Sequence, residues 1–215
     1  MADKIPTENY YTMSRPTLTS FPNLITPRKV KINGKETGKE KYSINFEFAA
    51  DHPDLGNIKA LLVRVAKERW GTIEGVHFPI SSGDKAADKA KGDGKEREWS
   101  RGRAVLVSRS DFAPKLGAIL NKRLVAFTGD DRARGEPYFY TGVEAGGTIS
   151  VQAQETEQGK FVVAYLNEVV SLNKGDRLTG GGSVEQNDTF KGYVGLVSQE
   201  DPTGGAGLLG DEIPF

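Results

Sequence analysis

At 215 residues, with 37% of them hydrophobic, no cysteine, and 29 Lys+Arg matched by 29 Asp+Glu, the chain excludes a disulfide scaffold and a thiolate metal site. It also lacks any apolar run near the ~18 residues that a membrane-spanning helix needs. The length suits one sizeable domain with appendages, and 26 glycines point to many turns and more strand than helix.

Residues 1 to 27 hold Pro6, Pro16, Pro22 and Pro27 around Tyr10 and Tyr11 without steady periodicity, and read as an extended N-terminal arm. The opening Met1-Ala2-Asp3-Lys4-Ile5-Pro6 lacks the basic and then apolar layout of a signal peptide, so a cytoplasmic location is the default expectation. Val30 and Ile32 alternate with Lys29 and Lys31, Asn33-Gly34 supplies turn chemistry, and Tyr42, Ile44, Phe46 and Phe48 alternate with polar residues. This predicts a lysine-lined hairpin with strands near 28–33 and 41–49.

Leu55 to Trp70 reads as a helix, with Leu55, Ile58, Leu62 and Val65 on one face, Asp51 or Asp54 as cap near Pro53, and Gly71 as stop. Its Lys59, Arg64, Lys67 and Arg69 suit a solvated face. Ser81 to Glu98 reads as a lysine-rich loop leading into Trp99-Ser100-Arg101-Gly102-Arg103 and a strand at Ala104-Val105-Leu106-Val107. Further strands are expected at Arg123 to Thr128 and in a hairpin formed by Ile149 to Gln154 and Phe161 to Ser171, with Asp130-Asp131 in a solvated turn between them.

The body is expected to span residues 28–183, followed by an acidic tail at 184–215. Residues 1–183 carry 28 Lys+Arg against 23 Asp+Glu, whereas the tail carries Lys191 against six acids, so an excess of five positive charges faces five negative ones. Such a division suits a polyanion-binding body whose tail competes for the same surface, or a tail that serves solubility alone. Short strands with one helix and long loops fit a mainly β, OB-fold-like Greek-key barrel, or an open antiparallel sheet with a covering helix.

No constellation supports an enzyme. His52 and His77 stand far apart without cysteine or repeated acidic spacing, so no metal and no cofactor are expected. Gly205-Ala206-Gly207-Leu208-Leu209-Gly210 spells a dinucleotide fingerprint but follows no strand and leaves no room for the helix that it needs. Nucleic-acid binding has more support, because single strands need cations along phosphates and flat side chains for bases to stack on. Lys29, Lys31, Lys41, Arg101 and Arg103 are the candidate phosphate contacts, and Tyr42, Trp99, Tyr138 and Tyr140 the candidate stacking surfaces.

The last residues, Asp211-Glu212-Ile213-Pro214-Phe215, follow a glycine-rich tether, Pro202 to Gly210, and combine two carboxylates with an apolar anchor. They resemble the acidic tip of single-stranded DNA-binding proteins of bacteria and their phages. The body adds to this. Tyr140-Thr141-Gly142, Leu166-Asn167-Glu168-Val169 and Gly175-Asp176-Arg177-Leu178-Thr179-Gly180-Gly181 are similar to the YSG, L-N-x-V and G-x-R-L-G-G elements of a family of phage single-stranded DNA-binding proteins. Thr141 replaces the serine, and Thr179 interrupts the final turn. The resemblance implies an OB fold and single-stranded DNA binding in phage replication, recombination and repair, without catalysis. It also implies recruitment of replication or recombination proteins through the tip, with no membrane partner; self-association along DNA is compatible with it. The competing expectations are a phage assembly protein indifferent to DNA, and an RNA-binding or strand-annealing protein.

Overall fold

The computed structural model describes residues 5–32 and 35–178, with side chains throughout except at 30–32 and 35–37. A 3₁₀ turn (Thr7–Asn9) leads into β1 (Tyr10–Thr12), then β2 (Thr17–Ile32), β3 (Lys35–Ala49) and α1 (Pro53–Trp70). Short β4 (Val76–His77) and β5 (Ile80–Ser82) precede α2 (Gly83–Gly92), a 3₁₀ turn (Glu98–Ser100) and β6 (Arg103–Ser110). The hairpin β7 (Lys115–Leu120) and β8 (Arg123–Phe127), a 3₁₀ stretch (Gly129–Tyr138), and the long hairpin β9 (Glu144–Thr156) and β10 (Gly159–Ser171) complete the described chain.

Five of these strands close on themselves. β2 pairs antiparallel with β3, and β3 with β6 from Tyr42↔Ser110 to Ala49↔Arg103. β6 runs parallel to β10 at Ala164↔Ser108 and Tyr165↔Arg109, and β10 pairs antiparallel with β9 along nearly its whole length. β9 returns to β2 at Thr17↔Ala145 and Leu18↔Glu144. The ring β2-β3-β6-β10-β9 is a five-stranded OB-type barrel, and the open-sheet alternative is set aside by its closure. β1 extends the sheet beside β9, and β7 attaches the β7–β8 hairpin to β10.

Period-two patterning fills the barrel: Ile44, Phe46 and Phe48 of β3 are fully buried, as are Ile149 and Val151 of β9. α1 packs against β9 and β10 and buries Leu55, Ile58, Leu62 and Val65, the four residues that the sequence places on one face, together with Leu61 and Ala66. Its cap differs from expectation. His52 is the N-cap, its Nδ1 accepting the Asp54 N–H at 3.2 Å. The buried Asp54 carboxylate instead accepts from the Tyr11 hydroxyl (2.8 Å), the Ser14 hydroxyl (2.7 Å) and the N–H groups of Ser14 (2.9 Å) and Arg15 (3.2 Å).

Two other expectations are corrected. The described part of residues 1–27 is no separate arm, because β1 and the first half of β2 lie in the sheet and Met13 and Leu24 lie in the core. The prolines hid this. Pro22 and Pro27 fall where the β2–β3 register shifts, between Ser20 and Asn23 and between Asn23 and Arg28, and such irregularities tolerate a missing N–H. The segment expected as a loop at Ser81 to Glu98 contains a second helix, α2, capped by the Ser82 hydroxyl, which accepts the Asp84 N–H at 3.2 Å.

Candidate nucleic-acid interface

Between α2 and β6 the chain makes the Glu98–Ser100 turn, and close packing holds it down. A side chain at Gly83 would begin 1.9 Å from the Ser100 carbonyl oxygen, so only glycine lets α2 start there. The Asp84 carboxylate accepts the Gly102 N–H at 3.0 Å, a bond that leads the causes holding its pKa below the ordinary aspartate value. The turn thereby sets Trp99 against Phe21 of β2, ring centres 6.4 Å apart and tilted by 47°. The Arg97 guanidinium lies over the Phe21 ring at 5.0 Å. Arg103 backs the turn, donating from Nε to the Trp99 carbonyl at 3.1 Å.

Phe21 is an anomaly that marks the site. It has φ of +49° and stays 41% exposed, a combination a bulky residue adopts only under constraint. The constraint is the buried Thr141 hydroxyl, which accepts the Phe21 N–H at 2.9 Å. Neighbouring bonds fix the same junction: Gly142 N–H to the Thr19 carbonyl (2.8 Å) and the Thr19 hydroxyl to the Val143 carbonyl (2.9 Å).

The Tyr140–Gly142 segment is itself clasped by residues 174–178. Leu178 N–H donates to the Thr141 carbonyl (2.9 Å), the Tyr140 hydroxyl donates to the Gly175 carbonyl (2.8 Å), and the Arg177 guanidinium caps the Tyr140 ring at 4.3 Å. Gly142, at φ +110°, lies so close that a Cβ there would stand 1.7 Å from the Asp176 carbonyl oxygen. A groove of about 550 Å³ runs between this clasp and the Trp99 turn, with Trp99 and Arg103 on one wall, Gly175 and Asp176 on the other, and Thr17 and Leu18 among its lining residues.

The residues expected from sequence fall in different places. Trp99 and Arg103 share the groove, whereas Arg101 is engaged by Asp88 (2.8 Å) and Glu98 (2.5 Å). Lys41 pairs with Asp111 at 3.2 Å, and Lys29 is exposed on β2 opposite Glu40. Tyr42 lies under the Arg132 guanidinium (5.5 Å), and Tyr138 is stacked on Phe127 (5.4 Å) at the edge of the core. The Lys31 side chain and the tip Asp211, Glu212, Ile213, Pro214 and Phe215 lie outside the described residues. Sequence reasoning missed Phe21, whose neighbour Pro22 made it part of an arm, and Thr141 as its partner. Among the described residues no group of three or more His, Asp or Glu could hold a metal ion.

A barrel closed in this strand order, with an aromatic and cationic surface on its outside, defines an OB-type binding fold. A family model described as the single-stranded DNA-binding protein of Enterobacter phage Enc34 matches residues 13–201. The chain belongs to this family of phage single-stranded DNA-binding proteins, which are binders rather than enzymes. No curated protein matches the chain. Among solved structures, the single-stranded DNA-binding protein from bacteriophage Enc34 in complex with ssDNA is similar with a TM-score of 0.61 at 17% identity, covering 83% of this chain and 97% of that one. A second structure of the single-stranded DNA-binding protein from bacteriophage Enc34 gives 0.59 at 18% identity, covering 88% and 97%. Gp2.5, the single-stranded DNA-binding protein encoded by bacteriophage T7, gives 0.51 at 10% identity, covering 89% and 96%. At these identities the likeness is one of fold.

Proposed function

We propose that the chain binds single-stranded DNA with little sequence preference, coats it during phage DNA replication, recombination and repair, and recruits partner proteins through Asp211 to Phe215. The observation that carries the reading is the Phe21–Arg97–Trp99 platform beside the groove. With Arg103 on the groove wall it joins the two things that an unselective single-strand site needs, aromatic faces for bases and a cation for phosphates. Family membership supports the same direction, and so does the charge division between body and tail.

The test is equilibrium binding of the full chain to labelled oligo(dT), oligo(U) and duplex DNA at several salt concentrations. Oligo(dT) should bind more tightly than duplex, and the affinity should fall with salt by about 0.7 logarithmic units per phosphate contact. Indifference to DNA at low salt, or a preference for duplex, overturns the reading. Preference for oligo(U) reassigns the substrate to RNA.

A further inference from the structure

Glu47 sits on β3 between Phe46 and Phe48, so it points to the outer face while they enter the core. Its side chain is nevertheless fully buried, beneath the turn that carries Trp99. Both carboxylate oxygens are occupied. Oε1 accepts from the Ser20 hydroxyl and from Arg97 Nη2 (3.3 Å), and Oε2 accepts from the Ser100 hydroxyl (2.6 Å). Arg97 Nε also donates to Ser100 Oγ at 3.0 Å, closing a triangle. The Glu47 main-chain oxygen takes two further bonds, from the Thr17 hydroxyl (2.6 Å) and Arg103 Nη1 (3.3 Å).

The donors are the platform's own neighbours. Ser20 precedes Phe21, Ser100 follows Trp99, and Arg97 is the cation over the Phe21 ring. One carboxylate therefore joins the strand that bears Phe21 to the turn that bears Trp99. Stability alone gives little reason to bury a charge here, since an apolar residue of similar size often serves as well. Orientation does give a reason, because a fully satisfied polar network admits one arrangement of its members.

We propose that Glu47 is a positioning residue for the DNA-contact platform: it touches no ligand itself, and it holds Arg97, Phe21 and Trp99 in their binding arrangement before DNA arrives. The proposal rests on reading that platform as the site of DNA contact. Preorganisation of this kind raises affinity by removing an ordering cost from the binding step.

The experiment uses the full chain carrying Trp70→Phe, which leaves Trp99 as the sole tryptophan. In the free protein, Glu47→Gln should raise acrylamide quenching of Trp99 about twofold while thermal unfolding stays cooperative. With oligo(dT), Glu47→Gln should weaken binding roughly tenfold at an unchanged salt slope, and less than about twofold when Arg97→Ala is already present, the non-additivity expected of residues in one network. Quenching equal to the parent, or an equal loss of affinity in both backgrounds, overturns the proposal. If Glu47→Gln does not fold, Ser100→Ala decides, since it removes one donor and keeps the charge pair; unchanged quenching there overturns the proposal too. Failure of the parent chain to bind DNA sinks the functional reading, while the quenching comparison still decides the positioning role.

Discussion

The Thr141 hydroxyl accepts the backbone N–H of Phe21 at 2.9 Å, joining the Tyr-Thr-Gly segment ahead of β9 to the bulge in β2. Thr141→Val should leave that N–H without its partner, at a cost of about 1–3 kcal/mol. In a domain of this size the melting temperature should fall by about 2–4 °C per kcal/mol. Oligo(dT) affinity should fall several-fold as Phe21 relaxes from its left-handed backbone. Thr141→Ser keeps the acceptor and should match the parent in both calorimetry and binding.

Aromatic residues should separate into two groups. Phe21→Leu and Trp99→Leu should each lose about 1–3 kcal/mol of binding, the worth of one base stack, with the salt slope unchanged. Tyr138→Leu should lower stability instead, since that ring is stacked on Phe127 beside the core. Equal affinity losses at all three positions would show that the groove is not where bases stack.

Cations divide by their partners. Arg103 bonds backbone carbonyls and has no carboxylate partner among the described residues, so Arg103→Gln should reduce the salt slope by about 0.7. Arg101 is held by Glu98 and Asp88, the hydrogen bonds that also raise its pKa, and a phosphate must compete with both. Arg101→Gln should leave the slope nearly unchanged.

Asp54 makes stability depend on pH. Burial works against its carboxylate, but hydrogen bonds from the Ser14 and Tyr11 hydroxyls and from the backbone of Arg15 and Ser14 outweigh it, so its pKa lies below the ordinary value. A carboxyl lowered by folding contributes stability above its unfolded pKa of about 3.9, and loses it as pH falls through the lower folded value. Asp54→Asn should therefore melt several degrees below the parent at pH 7, with the gap narrowing below about pH 4.

A chain ending at Gly182 should bind oligo(dT) more tightly than the full chain at low salt, because six acids and one lysine are removed from a body with five excess positive charges. Deleting Phe215 alone should leave DNA affinity near that of the full chain while abolishing pull-down of a replication protein by the tail. A loss of DNA affinity on deleting Phe215 would place the tip in the DNA site instead.

Much of the barrel was legible because its strands keep period two: Ile44, Phe46 and Phe48 announced β3, and the β9–β10 hairpin stood out in the same way. The helix α1 was legible by its apolar stripe. What escaped notice came from contacts distant in sequence. Phe21 reads as loop beside Pro22, and only the irregularity in the β2–β3 pairing and the hydroxyl of Thr141 leave its ring as an exposed face. Glu47 reads as the solvated member of an alternating strand, since nothing local says that Arg97 and Ser100 fold over it. Arg101 looked as available as Arg103, because the carboxylates that occupy it are visible only once α2 and the turn are packed together. The three family-like segments between Tyr140 and Gly181 could be named in sequence, and in space Tyr140–Gly142 and the described part of the last, residues 175–178, meet as the clasp beside the groove.

The barrel's joints are unequal in length. Long ladders join β2 to β3, β3 to β6 and β9 to β10, whereas β6–β10 and β2–β9 are each in register at two residue pairs. The groove with Trp99 opens over the short β2–β9 joint, at Thr17 and Leu18, where bonds beyond the ladder add to it: the Thr19 N–H donates to the Val143 carbonyl at 2.9 Å and the Gly142 N–H to the Thr19 carbonyl at 2.8 Å. That joint is therefore held by a few point contacts next to Phe21 rather than by a long ladder. In the proposed reading, the contacts that close the barrel there also set the aromatic face that would meet the bases.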